Sequence, residues 1–120
     1  MPWHVTLHDK ACVGDRTSLY SLGEIELYPN AVVAQEAYLC SGTHDFTHPD
    51  TPLLTAKITI GSDAFIGARA FIMPGISVGE GAMVGACSLV TRHVEAGTVV
   101  AGSPARFLRF REQTVLVGML

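Results

Sequence analysis

From Ile60 onward an aliphatic residue returns at every sixth position: Ile60, Ile66, Ile72, Val78, Val84 and Val90. Glycine often follows it (Gly61, Gly67, Gly79, Gly85), and the fifth place of the hexad is usually small (Ala64, Ala70, Ala82, Ser88). A helix wants apolar residues three and four apart, and a strand of an ordinary sheet wants alternation. A strict six fits neither as a continuous element. It fits a three-sided coil with one hexad per side, about 18 residues per turn. The aliphatic residue then points inward and the small one sits in the crowded interior near a corner. Glycine, aspartate and asparagine near the corners help the chain turn, and the strands of successive coils pair in parallel along the axis. A sandwich of short strands would not hold a six-residue phase over six units.

The pattern also lies upstream, less cleanly. Leu7, Val13 and Leu19 share one register, and Leu27, Val33 and Leu39 share a second, shifted by two residues. Leu39 to Ile60 is not a multiple of six. The intervening SGTHDFTHPDTPLLTAK, rich in Thr, Pro and His, reads as a loop thrown out from the coil over about residues 43–57. After Val90 the repeat decays. Ala105–Gln113 mixes apolar and basic residues as a short helix would, with Pro104 in its first turn; such a helix would cap the open end of the coil. The expected division is therefore a β-helix over residues 1–104 and a helix with its tail over 105–120. The tail Thr114–Leu120 is apolar and reads either as a strand or as a segment packed on a neighbouring subunit.

The chain of 120 residues suits one domain, and its 48% hydrophobic content argues against disorder. No apolar run is long enough to span a bilayer. The start, Met1-Pro2-Trp3-His4, lacks the basic-then-apolar pattern of a signal peptide, so a cytoplasmic protein is expected. Cys12, Cys40 and Cys87 are odd in number, widely spaced and without a CxxC pair, which reads as three small thiols and not as a disulfide frame or zinc site. A net charge of −3 argues against a general nucleic-acid binder. The charge is uneven, however: Arg92, Arg106, Arg109 and Arg111 gather near the C-terminus, where a local anion site fits.

Three stretches carry a resemblance: YSLGEI (Tyr20–Ile25), AYLCSGTHDFTHPDTPL (Ala37–Leu53) and VTRHVEAGTVVAGSPARFL (Val90–Leu108). Together with the hexads they resemble the hexapeptide-repeat acetyltransferases, nearest to the colanic acid biosynthesis acetyltransferase family and related to the maltose and galactoside O-acetyltransferases. Hexads alone specify a fold and not a chemistry; the THD loop and the GSPAR ending are the more specific signals. The resemblance implies an all-β, left-handed parallel β-helix, a homotrimer with active sites between neighbouring subunits, acetyl-CoA as co-substrate with no metal, and a sugar hydroxyl as acceptor. Relatives usually carry an N-terminal segment before the first coil, and relatives in the colanic group tend to have asparagine where Ser21 stands.

The resemblance also assigns roles. His44 is the general base that takes the acceptor's proton, a task that suits imidazole near neutral pH. Asp45 is placed beside it, either orienting the ring or contacting the acceptor. Ser21 and Glu24 are acceptor-side candidates, Glu24 reading equally well as a solvated corner residue. The backbone N–H of Ala68 is the oxyanion donor. Phe65, Ala68 and Ala86 line the path of the pantetheine arm, with Phe65 in place of a tryptophan common in relatives. Thr91 and Arg92 match a threonine–lysine pair near the phosphates, and Arg106 and Arg109 match two arginines at the nucleotide end, where a guanidinium suits phosphate. Ser103 and Pro104 shape the turn that presents Arg106, and His48 reads as exposed. Two other functions compete: a non-catalytic trimeric scaffold, and a metal enzyme like the γ-class carbonic anhydrases, for which His4, His8, His44, His48 and His93 offer no convincing third-ligand spacing.

Overall fold

The computed structural model describes residues 4–44 and 47–111. The chain visits three parallel sheets in rotation. Sheet 1 holds β1 (Val5–Leu7), β4 (Ile25–Leu27), β9 (Ile58–Ile60) and β12 (Ser77–Val78). Sheet 2 holds β2 (Cys12–Val13), β5 (Val32–Val33), β10 (Phe65–Ile66), β13 (Met83–Val84), β15 (Thr98–Gly102) and β16 (Ala105–Phe110). Sheet 3 holds β3 (Ser18–Tyr20), β6 (Tyr38–Cys40), β11 (Phe71–Ile72) and β14 (Leu89–Val90). Between β6 and β9, β7 (Gly42–His44) and β8 (Leu53–Thr55) stand apart as an antiparallel pair.

The register explains the breaks in the hexad phase. Thr59 stands against Ser77 and Phe65 against Met83, 18 residues on, which is three hexads. Val5 stands against Ile25, 20 residues on, so the two-residue shift is absorbed at one corner. Ile25 stands against Ile58, 33 residues on, because the β7–β8 hairpin is inserted there. The inserted segment therefore has a ladder of its own, with His44 opposite Leu53.

The aliphatic columns fill the interior. Leu27, Ile60 and Val78 line sheet 1, Val33, Ile66 and Val84 line sheet 2, and Leu39, Ile72 and Val90 line sheet 3, all at 0–1% exposure. The residue two places earlier sits at the corners. It is small where sheet 1 passes to sheet 2 (Ala31, Ala64, Ala82) and where sheet 2 passes to sheet 3 (Ala37, Ala70, Ser88). At the third corner it is large: Ile25, Ile58 and Ile76. Leu7 and Val13 occupy interior positions of the first coil yet are 50% and 36% exposed, because only one neighbouring coil covers them.

Two kinds of glycine perform different tasks. Gly75, Gly81 and Gly97 take positive φ at corners, a task shared with Asn30 and Asp63. Gly61 and Gly67 do not turn the chain. A Cβ on Gly61 would stand 2.7 Å from the backbone N of Glu80, and one on Gly67 would stand 2.6 Å from that of Ala86, so these glycines let coils stack.

The expected C-terminal helix is replaced over Ala105–Phe110 by β16, which pairs antiparallel with β15 from Gly102↔Ala105 to Thr98↔Phe110. A helix as short as Ala105–Gln113 is marginal by itself, whereas a strand here satisfies the free edge of β15. The boundary drawn at residue 104 falls inside this hairpin. Gln113 and the tail Thr114–Leu120 lie outside the described residues.

The outward faces differ in character. Sheet 1 presents Thr6, Glu26, Thr59 and Ser77. Sheet 2 presents Cys12, Val32, Phe65, Met83 and Val99. Sheet 3 presents Tyr38, Phe71 and Leu89, with Tyr38 and Phe71 stacked at 5.0 Å.

On sheet 1, Lys57 Nζ lies 2.7 Å from Glu26 Oε1, and His8 Nε2 donates to Glu26 Oε2 at 2.6 Å. Lys57 first, then His8, holds the Glu26 carboxyl below its ordinary value of 4.5. A depressed carboxylate contributes stability that is fully present above its unfolded value and is lost as pH falls through the lower folded value. Glu26→Gln is therefore expected to cost up to about 1 kcal/mol at pH 7 and to match the parent protein under strongly acid conditions; urea titrations at both pH values read the difference.

Candidate active site

His44 ends β7, at the corner where sheet 3 passes to sheet 1. The root of that hairpin is fixed by Ser41, which is fully buried. Its Oγ donates to the Tyr20 carbonyl at 2.7 Å and accepts from the Gly23 N–H at 3.0 Å. Its carbonyl accepts from the Ala56 N–H at 2.9 Å. One hydroxyl thus ties the base of the hairpin to the Tyr20–Gly23 corner of the preceding coil. Ser41 escaped the sequence reading although it precedes Gly42-Thr43-His44; the available signal was a polar residue at the point where the hexad phase breaks.

Ser21 and Glu24 lie at this same corner, one coil before His44. Ser21 is 3% exposed, and its carbonyl accepts from His4 Nδ1–H at 3.0 Å. Glu24 is exposed, with Oε2 3.7 Å from Lys57 Nζ. Asp45 lies outside the described residues.

Ala68 and Ala86 stand one above the other at a different corner, where sheet 2 passes to sheet 3; the Ala68 carbonyl accepts from the Cys87 N–H at 2.9 Å. Among the described residues nothing accepts from the Ala68 N–H. Phe65 faces outward from sheet 2 and borders a groove of about 450 Å³ with Asn30, Asp63 and Arg111. Arg111 straps the corner where sheet 1 passes to sheet 2, its Nη1 donating to the carbonyls of Asp63 (3.0 Å) and Gly81 (3.2 Å).

Thr91, Arg92 and Arg106 do come together. They border a cleft of about 390 Å³ at the C-terminal end of the coil, with Val90, Val94 and Val100 among its apolar lining. The hairpin turn through Ser103 and Pro104 precedes Arg106, and the Gly102 N–H donates to Ser88 Oγ at 3.2 Å. Arg109 does not line this cleft; its Nη1 donates to the Phe110 carbonyl at 3.4 Å. Within one chain, then, the His44 hairpin and Ala68 occupy different corners of the coil.

His48 is exposed. His93 borders the cleft, and its Nδ1 accepts from the Ser77 N–H at 2.9 Å. Among the described residues there is no group of three or more His, Cys, Asp or Glu that could hold a metal ion, and no helix is long and apolar enough to cross a membrane.

Residues 57–92 match the family model described as bacterial transferase hexapeptide (six repeats). Over 113 residues, 94% of its length, the chain is 39% identical to a protein of Escherichia coli (strain K12) named for colanic acid biosynthesis acetyltransferase, WcaF, and it spans 62% of that protein. A chloramphenicol acetyltransferase of Escherichia coli is 48% identical over 61 residues, 51% of this chain and 29% of the relative. Among solved structures, a maltose O-acetyltransferase from Clostridium difficile 630 superposes with a TM-score of 0.86 at 22% identity over 92% of this chain and 61% of its own, a likeness of fold. A single-residue mutant of AntD, an N-acyltransferase from Bacillus cereus solved with dTDP-4-amino-4,6-dideoxyglucose and coenzyme A, gives 0.85 at 26% identity over 96% of this chain and 68% of its own. Residues 57–92 are thus hexapeptide repeats of the bacterial transferase kind, and the chain that carries them resembles the hexapeptide-repeat acetyltransferases over nearly its whole length.

Proposed function

We propose that this protein transfers an acetyl group from acetyl-CoA to a hydroxyl of a sugar or related acceptor. The observation that carries the reading is the hairpin inserted into an otherwise regular coil, pinned by Ser41, with His44 on it. In the proposed step the acceptor oxygen attacks the thioester carbonyl while His44 takes its proton. The oxyanion of the tetrahedral intermediate is met by the Ala68 N–H. Collapse breaks the C–S bond, the leaving thiolate recovers the proton from the imidazolium, and no acyl-enzyme forms. Phe65, Ala68 and Ala86 would flank the pantetheine arm, and Thr91, Arg92, Arg106 and Arg109 the phosphates. No step calls for a metal.

The site is proposed to be shared between copies of the chain, in a homotrimer of left-handed coils. Two observations support this. His44 and Ala68 sit on different corners of the chain, which suits a site to which two copies contribute one residue each. Two of the three outer faces are apolar, Phe65 and Met83 on one and Tyr38 and Phe71 on the other, while the Glu26 face is polar. Packing between copies would take apolar outer surface of this kind out of water. A coil this small buries little by itself. The cytoplasm, with its reducing conditions, suits the three free thiols.

Light scattering should return three times 12.8 kDa. Acetyl-CoA should raise the melting temperature, and sugar acceptors should release free CoA thiol. A monomer that gains no stability from acetyl-CoA at any concentration would end the proposal. Arg106→Ala is expected to raise the acetyl-CoA Kd about tenfold, the loss of one charge-assisted contact, with turnover at saturating acetyl-CoA nearly kept; steady-state kinetics separates the two.

A further inference from the structure

We infer that the acceptor carries a negative charge, a carboxylate or a phosphate, and that Arg69 and Arg16 bind it. The inference rests on the reading above, in which Ala68 of one copy faces the His44 hairpin of another.

Two corners of the coil carry columns of residues with positive φ. At the corner from sheet 1 to sheet 2 most of the column is made of turn formers: Asn30, Asp63, Gly81 and Gly97 follow Lys10. At the corner from sheet 2 to sheet 3 the column is Arg16, Glu36, Arg69 and Cys87, with no glycine, asparagine or aspartate. The same backbone conformation is thus imposed twice, and at the second corner residues poorly suited to it stand there. Folding does not account for that choice. Chemistry at the corner does, because this is the corner of Ala68 and Ala86, and Arg69 directly follows Ala68.

Little in the chain occupies these two guanidinium groups. Arg16 Nη2 lies 3.4 Å and Arg69 Nη2 lies 3.5 Å from the same oxygen, Glu36 Oε1, both at the long limit of a hydrogen bond. The two side chains are 78% and 67% exposed. Each arginine has five N–H donors, so most of both forks faces solvent, and Glu36 sits in the intervening coil as a spacer between them. Planar forks of this kind suit carboxylate and phosphate oxygens.

Direction separates this strip from the CoA phosphates. Arg92 and Arg106 lie at the C-terminal end of the coil, past Ala86. Arg69 directly follows Ala68 in the third coil, and Arg16 lies two coils toward the N-terminal end, away from Ala86. An anion held there lies on the acceptor side of the thioester carbonyl.

The test uses three probes with the chain of 120 residues in the presence of CoA: methyl glucoside as the neutral reference, methyl glucuronide for carboxylate and glucose 1-phosphate for phosphate. Calorimetry and acetyl transfer are read for the parent protein, Arg69→Ala and the Arg16→Ala/Arg69→Ala pair. One charged probe is expected to bind the parent protein at least tenfold more tightly than the neutral one, and whichever does identifies the anion. Arg69→Ala should lose most of that preference and the double variant all of it, with the acetyl-CoA Kd unchanged. Equal binding of all three probes, or a charged preference that survives in the double variant, overturns the inference. A parent protein that fails to bind acetyl-CoA sinks the acetyltransfer reading instead.

Discussion

His44→Ala is expected to lower acetyl transfer by about 10²–10⁴-fold, the usual worth of a positioned general base, while acetyl-CoA still raises the melting temperature and the assembly state is unchanged. The structural reason for the second half is the position of the residue. His44 lies at the outer end of β7, beyond the Ser41 root, and the interior columns run through Leu39 and Ile60 without it. Ser41→Ala provides the contrast. It removes a buried hydroxyl that bonds both Tyr20 and Gly23, leaving the Tyr20 carbonyl and the Gly23 N–H each one partner short. It should lower stability by about 1–3 kcal/mol and, through a loosened hairpin, slow turnover as well. A His44→Ala protein that keeps its rate removes the proposed mechanism, whatever the fate of the fold.

Gly61→Ala and Gly81→Ala, two changes at one corner, should differ sharply. In Gly61→Ala the new methyl meets Glu80 N at 2.7 Å, Gly79 C at 2.8 Å and the Val78 carbonyl oxygen at 2.9 Å, all of it backbone of the next coil. No rotamer can relieve that contact, so the coils must part, at a cost of about 3 kcal/mol. In Gly81→Ala the methyl meets nothing within 4 Å, and the cost is that of holding alanine at φ +69°, about 1 kcal/mol. Equilibrium unfolding in urea at fixed protein concentration measures both. If Gly81→Ala proves the worse of the two, close stacking is not what these glycines provide.

The pair also shows where sequence reasoning stopped. Both glycines are legible as corner residues, but only the register between coils tells that one turns the chain and the other makes room. The same limit applies to Ala105–Phe110. Its mixture of basic and apolar residues is compatible with a helix until the free edge of β15 is known to lie beside it.

The period of six determined the three-sided coil, the inward columns through Leu27, Val33 and Leu39, and the site of the insertion, because a one-dimensional repeat states its own geometry: each unit contacts only the ones before and after it. The motifs after Cys40 and Ala101 pointed to acyl transfer by resemblance. Only the tertiary structure decided which residues share a corner. It gathered Thr91, Arg92 and Arg106 into one cleft, left Arg109 outside it, put Ser41 under the His44 hairpin, and set His44 and Ala68 apart on a single chain. Corners are made by residues 18, 20 or 33 positions apart, and a local pattern carries no record of which coil lies above which until the strands have paired.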